Sequence, residues 1–153
     1  MEILKISVCK YCKYLIIIYF ICDGYVTMSQ NTPETYITRY RPIADSLQVV
    51  YSVPASIILA TACLESGFGT SSAARERNNH FGINNGLTRY ATGEASFVSY
   101  CELISGSARY ASLFNLCVYN YKGWAYGLQR FGYAVDNRYG WKLVVIIEKF
   151  IIK

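Results

Sequence analysis

From Val53 to Leu64 the chain has no charged side chain, and the run ends in Glu65-Ser66-Gly67-Phe68-Gly69. A stretch this apolar has to be buried, so the fold must be organised around it. Val53, Ile57, Ala60 and Leu64 recur at steps of four, three and four, which predicts a helix with one apolar stripe. Ser52 is placed to cap it, Pro54 suits a first turn, and Gly67 and Gly69 offer a left-handed stop. Glu65 then falls in the last turn, off that stripe and beside Ile58 and Thr61. Apolar surroundings and the negative end of the helix dipole both oppose its ionisation and push its pKa up. A general acid working at neutral pH needs that shift. The plainer alternative is a helix-end Glu that reaches solvent.

The blocks Ala-Ser-Ile-Ile-Leu-Ala-Thr-Ala-Cys-Leu-Glu-Ser-Gly-Phe-Gly (55–69) and Asn-Asn-His-Phe-Gly-Ile (78–83) resemble the glucosaminidase family of peptidoglycan hydrolases, glycoside hydrolase family 73. Arg-Tyr-Ala-Ser-Leu-Phe (109–114), Tyr-Lys-Gly-Trp-Ala-Tyr-Gly-Leu (121–128) and Gly-Tyr-Ala-Val-Asp-Asn-Arg-Tyr (132–139) follow in the family's order. The resemblance covers about residues 35–150. It implies a mainly helical α+β fold, lysozyme-like, with a small β-hairpin lobe and a groove for a glycan strand. It also implies Glu65 as the catalytic acid and Tyr133 in a supporting role near the reacting sugar. Asn79 and Phe81 would border the groove, and Tyr139, closing the last block, is grouped with them as substrate-binding.

The first thirty residues read differently from the rest. Lys5, Lys10 and Lys13 precede the apolar Leu15–Cys22, after which the chain turns polar through Thr27-Met28-Ser29-Gln30. That is the pattern of a signal peptide over 1–30, leaving one domain over 31–153. The apolar run is well short of the roughly 20 residues that span a bilayer. Bulky Ile21 before Cys22 argues against a lipoprotein site. The expected location is therefore secreted, periplasmic or otherwise in the cell envelope, with no stable membrane span once the leader is removed.

At 153 residues and 53% hydrophobic, the chain can build one domain with a substantial core. Three of the six cysteines lie in the leader, including Cys9-x-x-Cys12. Cys63 reads as a small hydrophobe in the apolar helix, and a Cys101–Cys117 pair is conceivable but unforced. One histidine, His80, and no Cys/His cluster of zinc spacing give little support to metal catalysis or a Ser–His–Asp triad; no metal and no cofactor are expected. The leader holds three of the fifteen Lys and Arg and two of the ten Asp and Glu, so the remainder stays mildly basic. That suits an anionic wall polymer. Nucleic acid is disfavoured because the arginines are scattered, and a monomer is the expected state.

Thr32-Pro33-Glu34 opens a helix running to about Tyr51, with Tyr36, Tyr40, Ile43, Leu47 and Val50 on one stripe. Ser71 or Ser72 caps a short helix over 73–77. Leu87–Ala91 and Ala95–Tyr100, separated by Thr92-Gly93-Glu94, read as the hairpin. This segment is short for the family, and Phe97-Val98-Ser99-Tyr100 looks like its Phe-Arg-x-Tyr strand without the Arg. Glu94 is the one acid there and so the candidate second carboxylate, with a solvent-facing turn residue as the alternative. A helix over 102–114 bends at Gly106, and another over 121–131 carries Gly123 and Gly127 for a close backbone approach. Trp124 is a core residue or a sugar platform. Asp136 reads as the N-cap of a last helix buried through Tyr139, Leu143, Ile146, Ile147 and Phe150.

The expected chemistry is hydrolysis of the β-1,4 bond between N-acetylglucosamine and N-acetylmuramic acid in peptidoglycan glycan strands. Glu65 would protonate the leaving oxygen. A muramidase or lytic transglycosylase on the same fold, or a wall-binding protein without activity, are the competing readings.

Overall fold

The computed structural model describes residues 32–152. The expected signal peptide, with Cys9, Cys12 and Cys22, lies outside the described residues. Helix α1 (Pro33–Tyr51) starts as its sequence dictates: Thr32 Oγ1 accepts from the Thr35 N–H, and Pro33 occupies the first turn. Its buried stripe is Tyr36, Ile37, Tyr40, Ala44 and Leu47. Val50 is 70% exposed, so the stripe ends a turn earlier than spacing suggested.

Helix α2 (Ala55–Ser66) is the axis of the domain. Residues 57–63 are all buried, together with Ala55 and Ser66. The helix is therefore apolar all round and enclosed by neighbours, not laid down on one face. Ser52 is not its cap. Ser52 ends α1 in the left-handed conformation, with φ 57°, and its N–H donates to the Gln48 carbonyl. The α2 N-terminus is served by the Gln48 side chain, whose Oε1 accepts from the Ala55 N–H at 2.8 Å. Gly67, at φ 56°, supplies the expected left-handed stop.

Helix α3 (Ser72–Arg77) is capped by Ser71, whose hydroxyl accepts from Ala74 N–H. The expected hairpin is absent, and no strand occurs among the described residues. In its place α4 (Gly93–Gly106) begins at Thr92, whose Oγ1 accepts from Ala95 N–H. Ser96, Phe97, Tyr100, Cys101 and Ile104 face the core from it. That is a period of 3.6, not 2, and the turn-like Thr92-Gly93-Glu94 is a helix cap and first turn.

A 3₁₀ segment (Ala108–Asn115) follows the expected break after Gly106 and buries Tyr110 and Leu113. Helix α5 (Tyr121–Arg130) packs against α6 (Tyr139–Ile146), which continues as a π turn (Ile147–Ile151). The close backbone approach between them is made by Gly140, where a Cβ would come within 3.0 Å of the Ala125 carbonyl. Gly127 instead makes room for the Leu113 side chain, and Gly123 for Asn120. Trp124 is fully buried in the core. Cys63, Cys101 and Cys117 are all free, so the conceivable Cys101–Cys117 disulfide is not formed. Burial pushes the Cys63 and Cys101 thiols up to about 12 and leaves them as small hydrophobes. Among the described residues no helix is long and apolar enough to cross a membrane.

Candidate active site

Glu65 stands in the last turn of α2, half-buried, where the helix emerges from the core. The turn after it is tightly tied. Ser66 Oγ donates to the Ala62 carbonyl at 2.6 Å and accepts from Gly69 N–H at 2.7 Å. It also lies 3.3 Å from the Tyr36 hydroxyl, which meets His80 Nδ1 at 2.8 Å, while Tyr40 OH meets Nε2 at 3.1 Å. This buried chain fastens the glycine turn to the 78–83 loop. Burial, helped by the nearby Arg39 charge and opposed by Glu94, lowers the His80 pKa to about 4, so the ring is neutral at pH 7.

The Glu65 carboxyl is met from α6. Tyr139 OH donates to Oε1 at 2.9 Å, and Lys142, one turn on, adds a positive charge. Both favour the carboxylate, yet burial outweighs them and the pKa is raised. Lys142 is itself paired with Asp136 Oδ2, and Asp136 Oδ1 accepts from the Arg138 N–H at 2.8 Å. Asp136 thus does stabilise the approach to the last helix, but from two residues before the N-cap position at Arg138.

The third wall is the 78–90 loop. Asn79 is buried; its Nδ2 donates to the carbonyls of Ile83 and Thr88, both at 3.0 Å, and its Oδ1 accepts from Ile83 N–H at 3.1 Å. Its amide is fully engaged inside the loop, which makes it a scaffold for the groove wall and not a free hydrogen-bonding group in the groove. Gly82 has φ 64°, and a Cβ there would stand 3.7 Å from Glu65 Oε2, so the loop backbone passes close over the acid. Phe81 stacks on Tyr100 at 4.3 Å and meets Phe97 edge-on at 4.9 Å.

These walls enclose a cleft of about 550 Å³ whose lining includes Glu65, Phe81, Asn84, Arg109, Tyr110 and Tyr133. A second hollow of about 270 Å³, bounded by Leu64, Asp136, Tyr139 and Lys142, shares Glu65, Ala134 and Val135 with the first. Glu65 sits where the two meet. The Tyr133 ring lies 5.4 Å from Tyr139, 5.9 Å from Tyr100 and 6.4 Å from Tyr110. Burial pushes the Tyr133 and Tyr139 phenols further above their ordinary range, so neither ionises at neutral pH.

Glu65, Tyr133, Phe81 and Tyr139 therefore come together, with Asn79 just behind. Glu94 does not join them. It is exposed in the first turn of α4, where its charge couples to Arg39, Tyr40 and His80. Its backbone hydrogen bond, helped by Thr92, holds its pKa below the usual carboxylate range. The side of the molecule it addresses bears a separate small cavity lined by Arg39, Arg75 and His80. Sequence reasoning left Lys142 unassigned, three residues beyond Tyr139 on the same helix face, and Arg109, although that residue opens one of the matching blocks.

A half-buried carboxyl with a raised pKa, hydrogen-bonded by a phenol on the floor of an open groove, is the equipment of an acid-assisted glycosidase. The family model for mannosyl-glycoprotein endo-beta-N-acetylglucosaminidase, the glucosaminidase domain, matches residues 41–151, and the chain belongs to that family. It is 31% identical to the exo-glucosaminidase LytG of Bacillus subtilis (strain 168), over 82% of this chain and 56% of LytG. It is 25% identical to the peptidoglycan hydrolase FlgJ of Vibrio cholerae, over 74% of this chain and 42% of FlgJ. The chain thus spans about half the length of the curated relatives it matches. The catalytic domain of the autolysin Auto from Listeria monocytogenes shares the fold, with a TM-score of 0.69 at 20% identity, over 98% of this chain and 97% of that one.

Proposed function

We propose that the chain hydrolyses the β-1,4 bond between N-acetylglucosamine and N-acetylmuramic acid within peptidoglycan strands, with Glu65 as general acid. The observation that carries this is the Glu65 carboxyl, protonated more readily than a free one, at the meeting of two hollows. Two hollows adjoin at the acid, which favours cutting within a strand over trimming its end. In this reading the protein works in the cell envelope or outside the cell, where such strands lie, and does so as a monomer.

In this reading Glu65 delivers its proton to the glycosidic oxygen as the bond to C1 breaks and oxocarbenium character develops. Among the residues lining the cleft Glu65 is the one carboxylate. Asp136, in the adjoining hollow, has one oxygen on a backbone N–H and the other on Lys142. Glu94 faces elsewhere. The arrangement therefore favours the substrate's own acetamido oxygen as the group that closes on C1. Water then opens that ring, its proton returns to Glu65, and the new reducing end is N-acetylglucosamine. Tyr133, packed beside Tyr139 under the groove, shapes the floor on which the reacting sugar rests.

The test is a digest of purified peptidoglycan, reduced and read by mass spectrometry, beside Glu65→Gln. Reduced N-acetylglucosamine ends that vanish in the variant are expected. Anhydromuramic ends would instead identify a lytic transglycosylase, for which a single acid also suffices, and muramic ends a muramidase. Tight sacculus binding without new ends would leave a wall-binding protein.

A further inference from the structure

The cleft lining holds two formal charges, Glu65 and Arg109. Lys142 is the cation acting on Glu65, and Arg109 makes no ion pair with it. Arg109 is exposed, and among the described residues its guanidinium has neither a hydrogen-bond nor an ion-pair partner. It is nonetheless firmly carried, on the 3₁₀ segment anchored by the buried Tyr110 beside it and by Leu113. Most of the remaining lining is apolar or aromatic, including Phe81, Ile83, Leu103 and Tyr133. A free guanidinium held over such a wall is a fork that takes a planar anion through two parallel hydrogen bonds.

A glycan backbone of N-acetylated sugars is neutral. The anion within reach is the carboxylate that every second sugar carries on its lactyl ether, free or extended by a peptide that ends in carboxylates of its own. We propose that Arg109 is a specificity-determining residue that binds a carboxylate of the muramoyl substituent and so sets which sugar lies on each side of Glu65. This rests on the strand-cleaving reading above. It gives the groove polarity, because an acid that cuts any β-1,4 bond would otherwise accept either sugar at the cut.

The test compares wild type, Arg109→Gln and Arg109→Lys on three strand preparations. One bears peptides, one has free lactyl carboxylates, and one is the second with its carboxylates converted to methylamides. Arg109→Gln should raise KM about tenfold on carboxylate-bearing strands with little change in kcat, the loss expected of one charge-assisted pair at a half-open site. The penalty should vanish on methylamide strands, and Arg109→Lys should recover part of it. A penalty confined to peptide-bearing strands assigns a peptide carboxylate, one confined to the free-lactyl strands assigns the lactyl carboxylate itself, and one on both shows that Arg109 takes either carboxylate. An equal penalty on methylamide strands, or none anywhere, overturns the proposal. Equilibrium binding of the same strands to Glu65→Gln, with and without Arg109→Gln, reads the contact without turnover. If wild type releases no new ends yet the binding difference tracks the carboxylate, the strand-cleaving reading fails and only the Arg109–carboxylate contact stands. If binding ignores the carboxylate, this one fails alone.

Discussion

The two sides of the Glu65 groove are built on different terms. On one side, the end of α2, the 78–83 loop and the start of α6 are locked by side chains that reach each other across long sequence separations. Ser66 meets Tyr36, Tyr36 meets His80, and Tyr139 meets Glu65. On the other, residues 84–107 form a loop and a helix where a hairpin was expected, and they place no carboxylate in the cleft. The chemistry of the site is thus concentrated on the locked side. A second acid, if the reaction depended on one, would have to come from a region neither of whose acids, Glu94 and Glu102, lines the cleft.

The sharpest way to break that contrast is Glu65→Gln, expected to lower turnover by about 10²–10⁴-fold, the range for a lost general acid. The same variant has a second, opposite signature. The folded-state pKa of Glu65 is raised above its unfolded value, so protonation favours the fold below the unfolded pKa, and that benefit disappears as pH rises through the folded pKa. Gln cannot ionise. Glu65→Gln should therefore melt higher than wild type at pH 7, with the gap closing toward pH 4. A variant less stable at pH 7 would mean that the carboxylate is well accommodated and the burial argument is wrong.

Asn79→Ala should come next. It leaves the Ile83 N–H and the Ile83 and Thr88 carbonyls without their partner in a buried setting. A loss of about 2–3 kcal/mol, read by denaturant unfolding, follows from orphaning such groups. Activity should fall with it, because the loop over Glu65 loses its brace. Tyr139→Phe should be milder, about tenfold in kcat, the loss of one hydrogen bond to a charged group. Its diagnostic is the pH profile. The Tyr139 hydroxyl lowers the Glu65 pKa, so removing it should move the alkaline limb of kcat to higher pH.

The end of α2 was legible because a glycine stop, a lone acid and an apolar run are local signals that survive tertiary context. The same holds for the Thr32 and Ser71 caps. Tyr139 was placed on a buried stripe and is buried, and the same side chain that packs its ring points its hydroxyl at Glu65, a pairing that spacing did not give. What failed did so for physical reasons. Thr-Gly-Glu reads equally as a hairpin turn and as a cap with an acidic first turn. The six residues from Ala95 to Tyr100 are too few to separate a period of 2 from one of 3.6, and the deciding members, Cys101 and Ile104, lie beyond them. The resemblance put Asn79 at the border of the groove, but its partners, Ile83 and Thr88, are fixed by a loop conformation that sequence spacing does not encode.

His80 offers a smaller effect on the locked side. Its folded pKa of about 4 lies below the unfolded 6.5, so the stability it contributes is present above 6.5 and lost as pH falls through 4. Thermal unfolding followed from pH 7 to pH 4 should steepen in that window. His80→Asn should flatten the pH dependence there while lowering stability at pH 7, and an unchanged slope would remove His80 as the acid-sensitive link.

The smallest effect is expected from Glu94→Gln, and it decides how the two sides differ. Glu94 is exposed, sits at the N-terminal turn of α4 and has a lowered pKa, all of which describe a carboxylate serving its own helix. Neutralising it should remove a favourable interaction with the helix dipole, about 0.3–1 kcal/mol, and leave kcat within about twofold. The Thr92 cap remains in place, so the helix should keep its start. A fall in kcat of a hundredfold or more, with stability little changed, would instead mean that the 84–107 region swings Glu94 into the groove when a strand binds. That outcome would restore a two-carboxylate mechanism and require the resting arrangement to be the closed-off half of a conformational cycle. A twofold change leaves Glu65 and the substrate's acetamido group to do the chemistry between them, because Asp136, the acid in the adjoining hollow, is already held by Lys142 and the Arg138 N–H.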